Sequence, residues 1–257
     1  MPTATIGDNT GNTYSGTEDN TLALTLVGSD VSTINDGSGA MPLLVGAHAD
    51  YIVRVLLKFS GLSSIPRPVS VSSATLYLYG ACALGVGVDV SAHRVLRNWI
   101  EGTQAWADRN NDTPPSSCWL EYGNNTSWTS DGCGGDGTDR DASAAGTVTI
   151  TPVLQYHEIS GPSFAELVQG WINGDYDNYG ILLTTADNDL VLITASEGTD
   201  GQRPYLVVEY SQRINRTLKC ASSICKSLSL GSHTLKHIGV KSGITKSLSL
   251  KSPMESD

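Results

Sequence analysis

Asp108, Asn110 and Asp112 stand as D-x-N-x-D, and Asp136, Asp139 and Asp141 follow in a second acidic run, GGDGTDRD. Alternating side-chain oxygens in a loop suit a hard cation such as Ca2+, which gathers roughly six to eight oxygen ligands. The first run lacks the EF-hand glycine, because Thr113 follows Asp112. One or both runs are expected to build a structural calcium site; the competing expectation is a solvated acidic loop. The same stretch, 102–145, holds Trp106, Trp119, Trp128 and Tyr122. An exposed aromatic face packs against the C–H groups of a sugar ring, so Trp119, Trp128 and Tyr122 are candidate polysaccharide contacts. Against this, large aromatics more often anchor a loop by burying area. Cys118 and Cys133 lie in this stretch too, and their pairing as a disulfide is one possibility.

Catalytic patterns are missing. The chain has no nucleophile elbow, no HExxH and no P-loop. His93 precedes Arg94 inside a strand-like run, where a hydrogen-bonded structural histidine is expected. Two carboxylates about 5–10 Å apart can run glycoside hydrolysis, but an acidic chain brings such pairs together by chance. No enzyme activity is expected. Cys220 and Cys225 with His233 and His237 have C-x4-C and H-x3-H spacing. A zinc site there lacks the second cysteine pair, and unrelated residues are the better reading.

The elements that must position these residues are strands. Runs at 21–28, 51–62, 73–81, 87–96, 146–154, 179–186, 190–197 and 203–211 alternate apolar and polar residues between turn clusters. Eight such runs predict an all-β fold, a two-sheet jelly-roll-like β-sandwich. The exception is SFAELVQGWING, 163–174, where Phe164, Leu167, Val168 and Trp171 recur at helical spacing. Ser163 is placed to cap that helix and Gly174 to end it. A connection as long as 102–145 is unusual in a compact domain and often functional.

Charge divides the chain. The formal net charge is −10, yet residues 211–257 carry eight basic side chains against two acidic ones. Residues 1–210 therefore hold eight basic against 24 acidic, with Lys58 the only lysine. Such a body repels nucleic acid and anionic membranes. The basic tail repeats itself: KSLSL at 226–230 returns at 246–250, and R-T-L-K at 216–219 is answered by H-T-L-K at 233–236. Its Ser/Leu alternation gives an extended segment one apolar face, which a lone strand cannot bury. The expected boundary follows: a body, 1–212, and an assembly or docking tail, 213–257. The tail contacts would be Leu218, Lys219, Lys226, Leu228, Leu230, Leu235, Lys236, Lys246, Leu248 and Leu250. No run of 18 apolar residues is present, so no membrane insertion is expected. The first residues, MPTATIGDNTGN, have neither the basic nor the apolar region of a signal peptide.

Several segments in order resemble the DNRLRE domain family. They are LLVGAHADYIVRVLLKFSGLSSIP, VSSATLYLYGA, HRVLRNWIEGTQAW, SWTSDGCGGDGTDRD, FAELVQGWINGDYDNYGILL and ASEGTDGQRPYLVVEY. The likeness covers about residues 3–210; the insertion near 29–42 and the tail depart from it. It implies a β-sandwich module, found beside polysaccharide-degrading domains or in adhesive, surface and virion proteins. Trp99, Trp106 and Trp171 match family positions and are expected in the core. Glu101 and Glu197 match as well, as buried partners of Arg97 or Arg203.

The resulting expectation is a non-enzymatic module of a repeating assembly, such as a virion decoration, fibre, tail protein or surface filament subunit. Its partners would be copies of itself or another structural protein. The alternative is a carbohydrate-binding module. A virion or extracellular, cell-surface location fits both.

Overall fold

The computed structural model describes residues 1–7, 16–26, 32–37, 42–48, 50–103 and 106–212. The chain divides into two units, Met1–Gln212 and Arg213–Asp257. The tail contacts named above, with Cys220, Cys225, His233 and His237, lie outside the described residues.

The strands are β1 (Thr3–Ile6), β2 (Thr17–Thr25), β3 (Ile34–Asp36), β4 (Leu43–His48), β5 (Tyr51–Phe59), β6 (Val69–Cys82), β7 (Val88–Arg94) and β8 (Ala107–Asp108). They continue with β9 (Glu121–Gly123), β10 (Thr126–Ser127), β11 (Gly146–Ile150), β12 (Gln155–Ser160), β13 (Ile181–Thr184), β14 (Leu190–Ile193) and β15 (Tyr205–Gln212). One helix, α1 (Pro162–Asn173), joins β12 to β13. Among the described residues, thirteen strands form one ladder in the order β1-β15-β6-β14-β4-β5-β13-β7-β11. β12 pairs with β6, β2 with β5 and β3, and β8 with β3; β9 and β10 make a separate ribbon.

The long strand β6 sets the architecture. It alternates buried and half-buried side chains from Ala74 to Cys82, the period of a strand with one face on a core. Residues 69–77 pair with β15, 75–80 with β12, and 80–82 with β14. β15 and β12 share residues 75–77 and so occupy opposite edges. Leu76 and Leu78 of β6, Leu206 and Val208 of β15, Val55 and Leu57 of β5, Val88 and Val90 of β7, and Val191 and Ile193 of β14 meet in the main core. Each such side chain stabilises the fold by about 1.5–3 kcal/mol when taken out of water. The all-β, sandwich-like fold expected from the alternation is what forms.

α1 closes one end of this core with Phe164, Leu167, Val168, Trp171 and Ile172. Its start differs from the expectation. Gly161, not Ser163, is the N-cap, and Pro162 takes the first turn, where its missing N–H is no loss. Gly174 ends the helix in the left-handed conformation, φ +77°, as glycine readily does.

The first and last strands of the body lie side by side. Thr3 pairs with Glu209 and Ile6 with Leu206, and the Tyr210 N–H donates to the Pro2 carbonyl at 3.0 Å. β15 ends with Gln212 opposite Val69, at the start of β6.

Candidate functional site

Strand β5 has two buried faces. Val55, Leu57 and Phe59 enter the main core, while Leu56 enters a second one with Leu22, Val95, Trp99, Trp119, Trp128, Cys133 and Leu182. The long connection 95–145 supplies the cover, folding back over the outer face of β2, β5, β13 and β7. Arg54 and Lys58, which share that outer face, are used to hold it. The Arg54 guanidinium lies 4.9 Å from the Trp119 ring centroid, and its Nη1 donates to the Gly132 carbonyl at 2.6 Å. Lys58 lies 5.5 Å from the Trp99 ring and pairs with Glu18 at 2.5 Å. Gly132, at φ +67°, lets the Trp119 ring approach its Cα: any Cβ there would sit 2.7 Å from the indole.

The aromatic candidates therefore have structural work. Trp119 and Trp128 are 5% and 4% exposed, and Trp128 Nε1 donates to the Cys118 carbonyl at 2.9 Å. Tyr122 is half-buried, its ring centroid 5.5 Å from that of Trp128. Neither tryptophan presents a free ring face for a sugar to stack on. The expected core positions Trp99 and Trp171 are buried, whereas Trp106 is 38% exposed. Trp106 sits at φ +47°, a backbone turn that carries its ring outward instead of onto the sheet.

The six candidate calcium ligands have protein partners. Asp108 Oδ1 accepts from the Asn110 backbone N–H and Nδ2, both at 2.8 Å. Asp112 accepts from Thr103 and Ser116. Asp136 pairs with Arg140 at 2.9 Å, and Asp141 grips Arg94 with both oxygens at 2.8 and 3.0 Å. Asp139 is the centre of its turn. Its carboxylate accepts the backbone N–H groups of Thr129, Ser130 and Gly135 at 2.9–3.0 Å and pairs with Arg97. Burial pushes this carboxyl up, but the three backbone donors and Thr129 outweigh it and hold it below the usual carboxylate range. Among the described residues, no three His, Cys, Asp or Glu side chains are grouped to hold a metal ion. The carboxylates of the two acidic runs fasten their loops through donors already in the chain.

Cys118 and Cys133 are both buried and both free, which replaces the disulfide expected as one possibility. The Cys133 thiol instead lies 3.6 Å from the Asp139 carbonyl oxygen, inside the second core. Burial pushes both thiols up, so thiolate is scarce at neutral pH. Alkylation without reductant should therefore leave Cys118 and Cys133 unmodified in the native protein and label both after unfolding. A disulfide would leave them unlabelled in both conditions, and peptide mass mapping distinguishes the outcomes.

His93 is the structural histidine expected: its Nδ1 is 2.9 Å from both the Asp141 carbonyl oxygen and Arg140 Nη1. Glu101 does not join Arg97, which pairs with Asp139. Glu101 Oε1 accepts the Asp19 backbone N–H at 2.6 Å, at the edge of β2.

That edge holds a polar cluster the sequence did not announce. Asp19, Asn20 and Thr21 are fully buried, and Asn35 and Asp36 of β3 nearly so. Asn20 Nδ2 donates to the Ser117 carbonyl and hydroxyl at 2.9 and 2.7 Å, and Asn35 Nδ2 to the same carbonyl at 2.9 Å and to the Ser116 hydroxyl. On the other side of β2, the Ser196 N–H donates to Asp19 Oδ2 at 2.7 Å, while Asp19 Oδ1 has no hydrogen-bond partner. Burial, then the Glu197 charge, pushes the Asp19 carboxyl up to about 7. Burial also pushes Glu101 up to about 8, with Asp19, Glu197 and Glu18 adding to the rise and the Asp19 N–H opposing it. Glu101 and the Asn20 and Asn35 amides pin β2 and β3 to the 101–117 segment, and the Asp19 carboxyl ties β2 to Ser196. The legible signal was TEDNT, 17–21: five polar residues running straight into an alternating strand.

No helix among the described residues is long and apolar enough to cross a membrane. No protein-family model and no curated protein matches the chain.

Proposed function

We propose that the chain is a non-enzymatic structural module of a repeating assembly, with the C-terminal tail making the contacts between subunits. A virion decoration, fibre or tail protein, or a surface filament subunit, fits this description. The observation that carries the proposal is how the loop 95–145 spends its chemistry. Trp99, Trp119 and Trp128 are buried, Cys118 and Cys133 are free and buried, Asp139 is bonded within the loop, and Asp141 ties it to Arg94 of β7. The residues that suggested a sugar site or a metal site are used to build a rigid body. What remains unexplained by the body is the tail, with eight basic residues against two acidic and its duplicated KSLSL. Such a segment suits strand addition to another chain, guided by charge toward an acidic surface. The resemblance to DNRLRE modules of surface and virion proteins points the same way.

The test is absolute mass by light scattering of the full chain and of a chain ending at Gln212. The expected result is large species for the first and a monomer for the second. The same oligomeric state for the two would overturn the proposal.

A further inference from the structure

The apolar side chains that the body leaves in water are gathered at one end. Among the described residues, nine large hydrophobic side chains are exposed, and six of them are Leu26, Tyr51, Leu84, Val86, Val153 and Leu154. Backbone hydrogen bonds place these six in neighbouring turns. The Leu26 N–H donates to the Asp50 carbonyl, in the turn just before Tyr51. Ala47 of the same hairpin donates to the Asp189 carbonyl at 3.1 Å, and the Asp189 side chain accepts from the Leu84 N–H at 3.2 Å. The Cys82 N–H donates to the Thr151 carbonyl at 3.0 Å, bringing the turn of Leu84 and Val86 beside that of Val153 and Leu154. Leu84, Val86, Val153 and Leu154 are each 58–65% exposed. Scattered exposed leucines need no explanation, but a gathered set marks an interaction surface.

The rim of this end is acidic. Asp50, Asp89 and Asp187 are exposed there, and Asp187 Oδ2 accepts the Asp89 N–H at 3.1 Å. The turns 46–51, 83–89, 151–154 and 185–192 contain no lysine or arginine. The surface calls for a ligand that is apolar along one face and positively charged beside it. Lys226, Leu228 and Leu230, repeated as Lys246, Leu248 and Leu250, have that pattern when extended.

We propose that this apolar, acid-rimmed end is the docking surface for the KSLSL segments of a second copy of this chain. The inference rests on the assembly reading above and names its receiving site. The assembly reading makes the occupant a second copy. The chain leaves the body at Gln212, opposite Val69 at the start of β6, while the apolar turns lie beyond Cys82 at its other end. The 14 residues of β6 separate exit and surface by about 40 Å, at ~3.3 Å per residue. A donor at one end and an acceptor at the other make a head-to-tail contact, which propagates into a filament or closes into a ring.

The experiment uses the full chain with Leu84→Asp and Leu154→Asp, singly and together, followed by light scattering over a concentration series. Both positions are exposed turns, and an unchanged circular dichroism spectrum and Tm would certify the fold. The expected result is a rise of about tenfold or more in the concentration needed for assembly. A synthetic peptide of residues 226–250 added in excess should dissolve the assemblies of the unaltered chain. If the aspartate variants assemble as before while truncation at Gln212 abolishes assembly, the docking surface is wrong and the assembly reading stands. If truncation changes nothing, both fall. If the variants fail to assemble but truncation does not matter, the surface binds another part of the body and the proposed occupant is wrong.

Discussion

Trp128→Ala is expected to lower the stability of the body by about 3–5 kcal/mol. For a unit of this size that is a loss in Tm on the order of 10 °C. The indole fills the second core between Cys118, Tyr122 and the outer face of β5, and its Nε1 holds the Cys118 carbonyl at 2.9 Å. Alanine leaves a cavity under a loop that has little else to collapse onto. Trp128→Phe keeps most of the packing and loses the hydrogen bond, so it should lose only about 1–2 kcal/mol. A tryptophan kept for sugar stacking would behave otherwise: its removal would leave Tm unchanged and abolish retention on a glycan. Urea denaturation of the three proteins decides the matter, and an Ala variant as stable as the parent sinks the second-core account.

Acidification from pH 8.5 to 6.5 is expected to stabilise the protein. Asp19 is pushed up to about 7 and Glu101 to about 8, chiefly by burial. In the unfolded chain both return to the usual range near 4. The folded state therefore binds more protons than the unfolded one between those values, and stability falls as pH rises through them. The penalty is complete above about pH 8 and disappears near the unfolded carboxylate range. For Asp19 it is on the order of 2–4 kcal/mol, at about 1.4 kcal/mol per pH unit of displacement. Glu101 contributes less, being partly exposed. His93, pulled below its usual range by burial, acts in the opposite sense below about pH 6.5, and Asp139, held low by its backbone donors, does so near pH 4. The window from 6.5 to 8.5 isolates the Asp19 cluster. Asp19→Asn keeps an oxygen for the Ser196 N–H and removes the charge. It should add on the order of 2 kcal/mol at pH 8.5 and flatten the pH dependence. Urea midpoints at three pH values test this; a midpoint that climbs with pH across the window refutes it.

Much of the fold was legible because one-sided burial writes itself into the chain with period two. YIVRVLLKF and SATLYLYGA alternate visibly and became the centres of β5 and β6. What was hidden has a physical cause in each case. β2 begins at Thr17, inside a polar run, because its first residues face a hydrogen-bonded cluster instead of apolar neighbours. The run 146–154 splits into β11 and the start of a turn at Thr151-Pro152, where proline has no N–H to offer a ladder. β12, QYHEIS, has only Tyr156 and Ile159 as apolar markers, so its pairing with β6 could not be read locally. The loop 95–145 is hard to read from sequence for a related reason. Asp, Trp and Cys residues in a turn-rich stretch look like a ligand site, since composition does not record whether donors and acceptors are spent on one another. Asp139, with three backbone N–H groups on its carboxylate, shows how completely they are.

The placing of β1, β15 and β6 decides how the body would carry a mechanical load. β1 and β15 run antiparallel with Thr3 beside Glu209, so pulling Thr3 away from Gln212 opens their ladder like a zip, one pair at a time. Tension from the far end of β6 to Gln212 acts differently. It slides β15 lengthwise along β6, from Tyr205 opposite Tyr77 to Gln212 opposite Val69, and the hydrogen bonds, perpendicular to the strands, resist together. A thread of these bodies joined head to tail would be strong along its length and would peel readily at the β1 edge.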